Sequence, residues 1–510
     1  MAKAILSLKA IGLLSRSLYV TLRLDRIVIF LPLLLASCHK ENKTPVPKPN
    51  IVFIAVDDLR PDLGCYGNPI AQSPNLDKLA AEGFLFQNHF VNVPTCGASR
   101  HALLTGMRPT TKAHLDNDIT SHVLSNQPET DIPETFIHQL KRNGYHTVGI
   151  GKISHSADGL VYGYTEQPSN KRELPYSWDE LLFNPGKWKT GWNAFFGYAN
   201  GENRQSLNRQ VTPYEKGKVS DTGYVDGLTT QLAIDKLKEL KNHKKPFFLG
   251  VGLFKPHLPF TAPEKYWNLY DRATIPVSPN PMVPTNVNLK SLHDSGELNG
   301  YKLGEEKPSL SQMASEPYAK KLKHAYYACI SYTDSQIGRI VDQIKSLGLD
   351  DNTIIVVWGD HGWHLGDQQV WGKHTIFENA LRSTLIIKTP HNTHPKPVSS
   401  IVETVDIYPS LLDLCDIAIK HPIDGESFTN LFTSDVPNTG NEVAYSYFRN
   451  GISVRTERYR LTKYFRTEEP TIELYDHQTD PLESKNLASE FPDIVNKLMP
   501  ILDKGDTGLY

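Results

Sequence analysis

Cys96 lies in the run Val93-Pro94-Thr95-Cys96-Gly97-Ala98-Ser99-Arg100, which leads into His101-Ala102-Leu103-Leu104-Thr105-Gly106. Residues 99–105 read as a short helix, so Cys96 falls at or just before a helix N-terminus. Free N–H groups and partial positive charge there suit a nucleophile that attacks an anion. Arg100, one turn on, could steady either the nucleophile or the anion. Four other sets of charged residues follow apolar runs directly. They are Asp57-Asp58, Lys152 with His155, Lys255 with His257, and Asp360-His361. Clustered carboxylates hold cations, while lysines and histidines bind anions and move protons. One aspartate after a strand is usually a turn or cap residue. Four coincident sets are hard to assign to packing.

The apolar runs that deliver these residues read as β-strands. Residues 51–56 contain no polar side chain, as expected of a strand buried on both faces. Residues 147–150, 247–251 and 353–358 look like further central strands. A helix is predicted over 74–82, introduced by Ser73 and closed by Gly83. A longer one is predicted over about 319–347, with Ile337, Ile340, Val341 and Ile344 on one face and Gly348 as its stop. Strands alternating with helices indicate an α/β fold, a large, mixed and mostly parallel sheet sandwiched by helices. Ligands of open parallel sheets bind at the carboxyl ends of the strands, where the charged sets fall.

Two stretches, 159–221 and 276–316, are poor in regular pattern, and loops that long are usually functional or disordered. Trp178, Trp188 and Trp192 argue against disorder in the first. From about residue 443 the pattern turns to short strands (443–448, 452–455, 459–464, 473–475) and a terminal helix near 493–502. This predicts a smaller C-terminal α+β domain with an antiparallel sheet over 436–510, after a catalytic domain over 50–435.

The cysteine segment resembles the Cys-x-Pro/Ala-Ser-Arg motif of type I sulfatases of the alkaline-phosphatase superfamily. Here it reads Cys96-Gly97-Ala98-Ser99-Arg100, with Leu104-Thr105-Gly106 at the family spacing. The likeness covers nearly all of 49–502 and is nearest the iduronate 2-sulfatase branch. Val56-Asp57-Asp58-Leu59-Arg60-Pro61, Leu63-Gly64-Cys65-Tyr66-Gly67, Lys255-Pro256-His257 and Asp360-His361-Gly362-Trp363 carry it. The resemblance implies an alkaline-phosphatase-like fold and conversion of Cys96 to formylglycine by a maturation enzyme. It further implies one divalent cation held by Asp57, Asp58, Asp360, His361 and the modified Cys96. Three carboxylates favour Ca²⁺ ahead of Mg²⁺. His361, where many sulfatases carry Asn, weakens the case for calcium over a transition metal.

By the same resemblance, Lys152, His155, Lys255, His257 and Lys373 surround a sulfate group. Lys152 and His155 would fix the formylglycine hydrate, and Lys373 would bind sulfate oxygens. His257 would protonate the leaving alcohol, and His155 would act as the later base. One hydroxyl of a hydrated aldehyde can attack sulfur while the other later expels sulfate. Trp363 and His364, just past the metal ligands, would either contact sugar or pack the loop. Ala98, where the commoner motif has Pro, resembles substrates of oxygen-independent radical maturation enzymes.

The chain has 510 residues, 54 basic and 56 acidic, for a formal charge of −2. A hydrophobic fraction of 39% with 22% charged residues excludes disorder and a multi-span membrane protein. Near-neutral charge argues against a dedicated nucleic-acid binder, and five cysteines exclude a disulfide-built scaffold. Arg23 and Arg26 precede the ten-residue apolar run 27–36, which is too short to span a bilayer but suits a signal peptide. Leu35-Ala36-Ser37-Cys38 resembles a bacterial lipoprotein box. The reading is a signal peptide over 1–38, lipidation of Cys38 and a linker over 39–49, with simple cleavage and secretion as the alternative. An exported protein of the periplasm or outer membrane follows, with that anchor as its membrane contact. The expected substrate is a sulfated polysaccharide fragment, first a 2-O-sulfated uronic acid of a glycosaminoglycan. A sulfated algal galactan such as carrageenan, a phosphatase or phosphodiesterase on the same fold, and a dead glycan-capturing lipoprotein are the rival readings.

Overall fold

The apolar runs become strands because helices cover both of their faces. In the computed structural model, residues 48–124, 134–390, 392, 394–432 and 441–510 are described. The leader with Cys38 and the expected boundary at 435/436 lie outside the described residues. The main sheet comprises β1 (Asn50–Val56), β2 (Phe84–Phe90), β3 (His146–Gly151), β4 (Glu180–Leu182), β5 (Phe247–Leu253), β6 (Thr353–Gly359), β7 (Leu385–Lys388) and β8 (Lys396–Glu403). Their order is β8-β2-β7-β6-β1-β5-β3-β4. Only β7 runs antiparallel, to β2 and β6. The pairings of β1 with β5 and β6, of β3 with β4 and β5, and of β8 with β2 are all parallel. The mostly parallel α/β fold is as the sequence predicts.

Along β1 successive side chains point to opposite faces. Val52, Ile54 and Val56 join a core with Ile337 and Ile340 of the helix Glu316–Ser346. Ile51, Phe53 and Ala55 join another with Phe136 and Tyr408. Each fully buried side chain of this size contributes about 1.5–3 kcal/mol, more than local propensity differences, so the two cores decide the strands. The long helix starts where the Ser315 side chain accepts from the Tyr318 N–H, three residues earlier than predicted, and Gly348 at φ +65° follows its end.

Four further strands form an antiparallel meander: β9 (Val443–Phe448), β10 (Gly451–Thr456), β11 (Tyr459–Tyr464) and β12 (Thr471–Asp476). The helix Pro492–Asp503 packs Leu498 and Leu502 onto Tyr447, Val454 and Leu461. Val93 and Ala98 enter the same core. Strand β9 also grips the segment between β2 and Cys96. The Tyr447 N–H donates to Asn92 O at 2.7 Å, and Ser446 Oγ donates to Val91 O at 2.7 Å. The smaller sheet thus helps to hold the cysteine in place.

Strands β2, β7 and β8 have no counterpart in the sequence reading. Strand β2 exposes Gln87 in its middle, and β7 is only four residues long. Within 159–221, β4 adds an edge strand, and Trp178, Trp188 and Trp192 are all buried. Cys329 and Cys415 are buried core residues as expected, and Cys65, Cys96, Cys329 and Cys415 are free thiols. No helix among the described residues is long and apolar enough to cross a membrane.

Candidate active site

Seven of the eight strands end on one edge, and β1, β3, β5 and β6 bring functional groups there directly. Register places Val56 of β1 beside Leu253 and Gly359, so Asp57 and Asp360 emerge side by side. Asp57 N–H donates to Leu253 O, and Asp360 N–H donates to Val56 O. Asp58 has φ +61° and donates its N–H to Asp360 Oδ1 at 3.0 Å. Its carbonyl accepts from Tyr326 OH at 2.6 Å. That backbone is sparsely populated for a non-glycine residue, and such strain concentrates at functional sites. At the end of β3, Gly151 at φ +73° turns the chain toward Lys152. A Cβ on Gly252 would lie 2.1 Å from Lys152 O, so only glycine fits opposite it.

Cys96 is the first residue of the helix Cys96–Thr105, with Thr95 as its cap, so the predicted helix starts three residues earlier. The thiol is 3% exposed. Burial, then the Asp57 carboxylate, pushes it up to about 12, so unmodified sulfur is a protonated, weak nucleophile at neutral pH. Cys96 Sγ lies 3.3 Å from His361 Nε2 and 3.2 Å from Lys373 Nζ. His361 Nδ1 faces Gly362 O at 3.0 Å, so the proton belongs on Nδ1 and Nε2 keeps its lone pair. Donor atoms of Asp57, Asp58, Cys96 and His361 all lie within 4.8 Å of one another.

These residues fit a cation. Both Asp57 oxygens and Asp58 Oδ2 are buried without a hydrogen-bond partner. Lys152 Nζ lies 2.8 Å from Asp57 Oδ2 but outside hydrogen-bonding alignment. Burial pushes Asp58 well above the usual carboxylate range, against the pull of Lys373. Burial acts the same way on Asp57, but Lys152, His257 and Arg100 hold it well below that range. Two adjacent buried carboxylates with one strongly disfavoured charge are what a divalent ion would relieve. Asp360 adjoins this set but has other partners. Oδ2 accepts from Arg100 Nε at 2.9 Å, and Ser99 Oγ donates to its carbonyl.

The fold and the motif agree with comparisons to known proteins. Residues 49–417 match the family described as Sulfatase, and residues 359–505 match N-sulphoglucosamine sulphohydrolase, C-terminal. The chain belongs to the sulfatase family. A Formosa agariphila protein named Sulfatase is 31% identical over 91% of this chain and 89% of its own length. Iduronate 2-sulfatase of Mus musculus is 34% identical over 68% of this chain and 61% of the mouse protein. Among solved structures, the phosphonate monoester hydrolase of Silicibacter pomeroyi superposes with TM-score 0.71 at 20% identity, over 90% of this chain and 95% of that one. A 2-O GAG sulfatase superposes at 0.61 and 22% identity, over 90% and 91%. Both likenesses concern the fold.

In this sulfatase the basic residues ring the cluster. Lys373 Nζ donates to Asp58 Oδ1 at 2.8 Å and stands 5.3 Å above the Trp363 ring. Burial acts to lower its pKa, but Asp58 and Cys96 raise it well above the lysine norm, so it stays charged. Arg100 Nη1 donates to the Lys152 and Ile153 carbonyls. His155 is buried beside Trp192 with no partner on either nitrogen. Burial, then Lys152, holds its pKa well below the histidine norm, so it is a neutral, unengaged base. His257 Nδ1 lies 2.6 Å from Leu258 O, and Nε2 lies 3.0 Å from Glu297 Oε1. Burial, then Lys373, pushes His257 down to about 4, whereas two facing acceptors call for a proton on each nitrogen. Only the doubly protonated ring satisfies both acceptors.

Lys255 turns away from the sulfate position, and Trp363 and His364 take the packing alternative. Lys255 Nζ donates to His257 O at 2.8 Å and Pro259 O at 2.6 Å, so it braces the histidine's loop. Trp363 is fully buried beneath Lys373 and against Phe260. His364 is also fully buried, with Nδ1 facing Asp367 O and Nε2 facing Thr375 Oγ1. Neither ring edge is free for a sugar.

Four contributors were not read from sequence. Glu297 reaches in from the short helix Gly296–Asn299, inside the stretch that sequence marked as functional or disordered. Asp226 accepts from the Phe254 and Lys255 N–H groups and so fixes the turn before His257. Asn117 Oδ1 accepts from Gly97 N–H at 2.9 Å. Phe195 lies 4.5 Å from Lys152 Nζ and 4.6 Å from the His257 ring. No local spacing announces any of them.

Proposed function

We propose that this sulfatase removes sulfate from a glycosaminoglycan-type oligosaccharide, with a 2-O-sulfated uronic acid as first-choice substrate. Cys96 would act as formylglycine, with one divalent cation, Ca²⁺ ahead of Mg²⁺. The observation that carries the reading is the meeting of residue 96 with the Asp57–Asp58–His361 donor set and Lys373 in one buried pocket. When present, the cation and the hydrated aldehyde would supply charge stabilisation and an attacking hydroxyl. The chain's own groups do the rest. Lys152 and Lys373 would balance the charge of the bound anion. His257, protonated in its contact with Glu297, would donate to the departing alcohol oxygen. His155, neutral and unpaired, would accept a proton. Kinship to a protein named iduronate 2-sulfatase supports the uronic acid choice.

The decisive experiment incubates correctly matured protein with sulfated di- and oligosaccharides and reads released sulfate and product linkage. Release from a 2-O-sulfated uronate end supports the proposal. Release only from sulfated galactans would move the substrate to algal polysaccharide. Release of phosphate from an aryl phosphate with no sulfate release would replace the activity. Export and a lipid anchor at Cys38 are part of the same proposal. Fractionation of native protein with and without Cys38→Ala tests them.

A further inference from the structure

A cleft of about 550 Å³ is walled in part by chain neighbours of two site residues and is unused by the roles above. That volume falls in the range of small-molecule sites. Thr95 and His374, the chain neighbours of Cys96 and Lys373, form part of its wall. Lys112 and Arg449 also line it, and both are exposed. Neither makes a hydrogen bond or an ion pair among the described residues. Asp116 is the one carboxylate on the wall, so an excess of positive charge remains.

The wall is built, not incidental. Arg449 is the first residue of a two-residue hairpin loop, because Phe448 pairs with Gly451. It holds φ +50°, a conformation that favours glycine or asparagine, yet an arginine stands there. The Phe448 ring stacks on His374 at 11° and 5.6 Å, and the Arg449 guanidinium lies over the Phe448 ring at 5.3 Å, so packing places the arginine on the wall. The segment carrying Lys112 presses on the cysteine helix itself. A Cβ on Gly97 would lie 2.0 Å from Asn117 O, so the cleft wall and the nucleophile are fixed to each other.

We infer that this cleft holds the sugar next to the sulfated one, and that Lys112 and Arg449 bind a second anionic group on that neighbour. The group is a carboxylate or a further sulfate. The inference rests on the sulfate-ester reading of the catalytic pocket and narrows the substrate to a glycan charged on consecutive sugars.

The test measures binding by calorimetry to Cys96→Ala protein, which cannot turn over. The probes are three disaccharides that share a 2-O-sulfated hexuronate. Its neighbour is an N-acetylhexosamine, a 6-O-sulfated N-acetylhexosamine or a second hexuronate. The charged neighbours should bind about tenfold tighter than the neutral one, the worth of one charge-assisted contact. Adding Lys112→Ala and Arg449→Gly should erase that preference and leave the neutral probe unchanged. Glycine suits φ +50°, so the fold is not at risk, and equal melting temperatures check it. Whichever charged probe binds tighter identifies the second group. Equal affinity for all three probes, or a preference that survives the double substitution, overturns the subsite. Sulfate release from the neutral probe by mature protein is scored separately. If release fails while the preference stands, the hydrolase reading falls and the anion subsite remains.

Discussion

Glu297 Oε1 lies 3.0 Å from His257 Nε2, and its Oε2 lies 3.6 Å from Lys373 Nζ. One carboxylate from the short helix Gly296–Asn299 therefore links the proposed proton donor to the proposed anion-binding lysine. Burial acts to raise the pKa of Glu297, but Lys373 and His257 hold it well below the carboxylate norm, so it stays charged between them. Glu297→Gln keeps the shape and removes the charge. It should lower kcat by roughly tenfold or more with KM little changed, since general acid catalysis contributes about 10²- to 10⁴-fold. Steady-state kinetics across pH would check this. An unchanged kcat would rule out a positioning role for Glu297.

Cys96→Ser should abolish turnover by roughly a thousandfold or more, as expected for loss of a nucleophile, while the melting temperature stays near that of the parent. Protein made without a suitable maturation enzyme should keep a thiol at residue 96 and be equally inactive. The mass of the peptide containing residue 96, read beside sulfate release, decides both points. Full activity with an intact thiol would remove the proposed mechanism.

The buried oxygens of Asp57 and Asp58 that lack a hydrogen bond predict coupling between a divalent ion and stability. Calcium at a hundredfold above its dissociation constant should add about 2.7 kcal/mol. A chelator should therefore lower the melting temperature and abolish activity together, with both restored by adding the ion. Asp57→Asn should flatten that response.

Two buried histidines should each contribute less to stability as pH drops from about 6.5 toward 4. Burial pushes both His89 and His364 down to about 4, and each is a fully enclosed neutral ring. His89 Nδ1 faces Ser383 O, and Nε2 faces Thr404 Oγ1. Below pH 6.5 the unfolded chain binds protons that the folded chain refuses, so the contribution is whole above that value. It is lost progressively down to the folded value, by about 3 kcal/mol for each ring. Urea midpoints at pH 7 and pH 5 would measure it, and His89→Gln should remove one share of the slope.

Gly97→Ala is expected to be among the most damaging small substitutions. The new methyl would meet backbone atoms of Asn117, at 2.0 Å from its oxygen, and backbone cannot yield as a flexible side chain can. Overpacking of this kind costs about 1–3 kcal/mol or more. A lower urea midpoint, with sulfate release reduced even in the folded fraction, would bear this out.

Much of the site was legible because the chemistry follows immediately on apolar strands. Asp57, Asp58, Lys152, His257, Asp360 and His361 are each within four residues of a strand end. The parallel rule then places them on one edge. Glu297 was not legible, since the stretch around it carries no period that fixes its direction. For His364 and Trp363 the choice between sugar contact and loop packing stayed open, because proximity in sequence to metal ligands says nothing about which side of a turn faces the pocket. In the fold, β2 was hidden by its exposed middle, although it leads directly to Cys96.

The grip of β9 on Asn92 and the 3% exposure of Cys96 favour an order of events in the life of the chain. That grip comes from residues some 350 positions downstream, and in the folded chain the sulfur sits against His361 and Lys373. An enzyme that oxidises the thiol is expected to act faster on the unfolded chain than on the folded protein, where the sulfur is buried. Folding speed and oxidation speed are thereby placed in competition during biosynthesis.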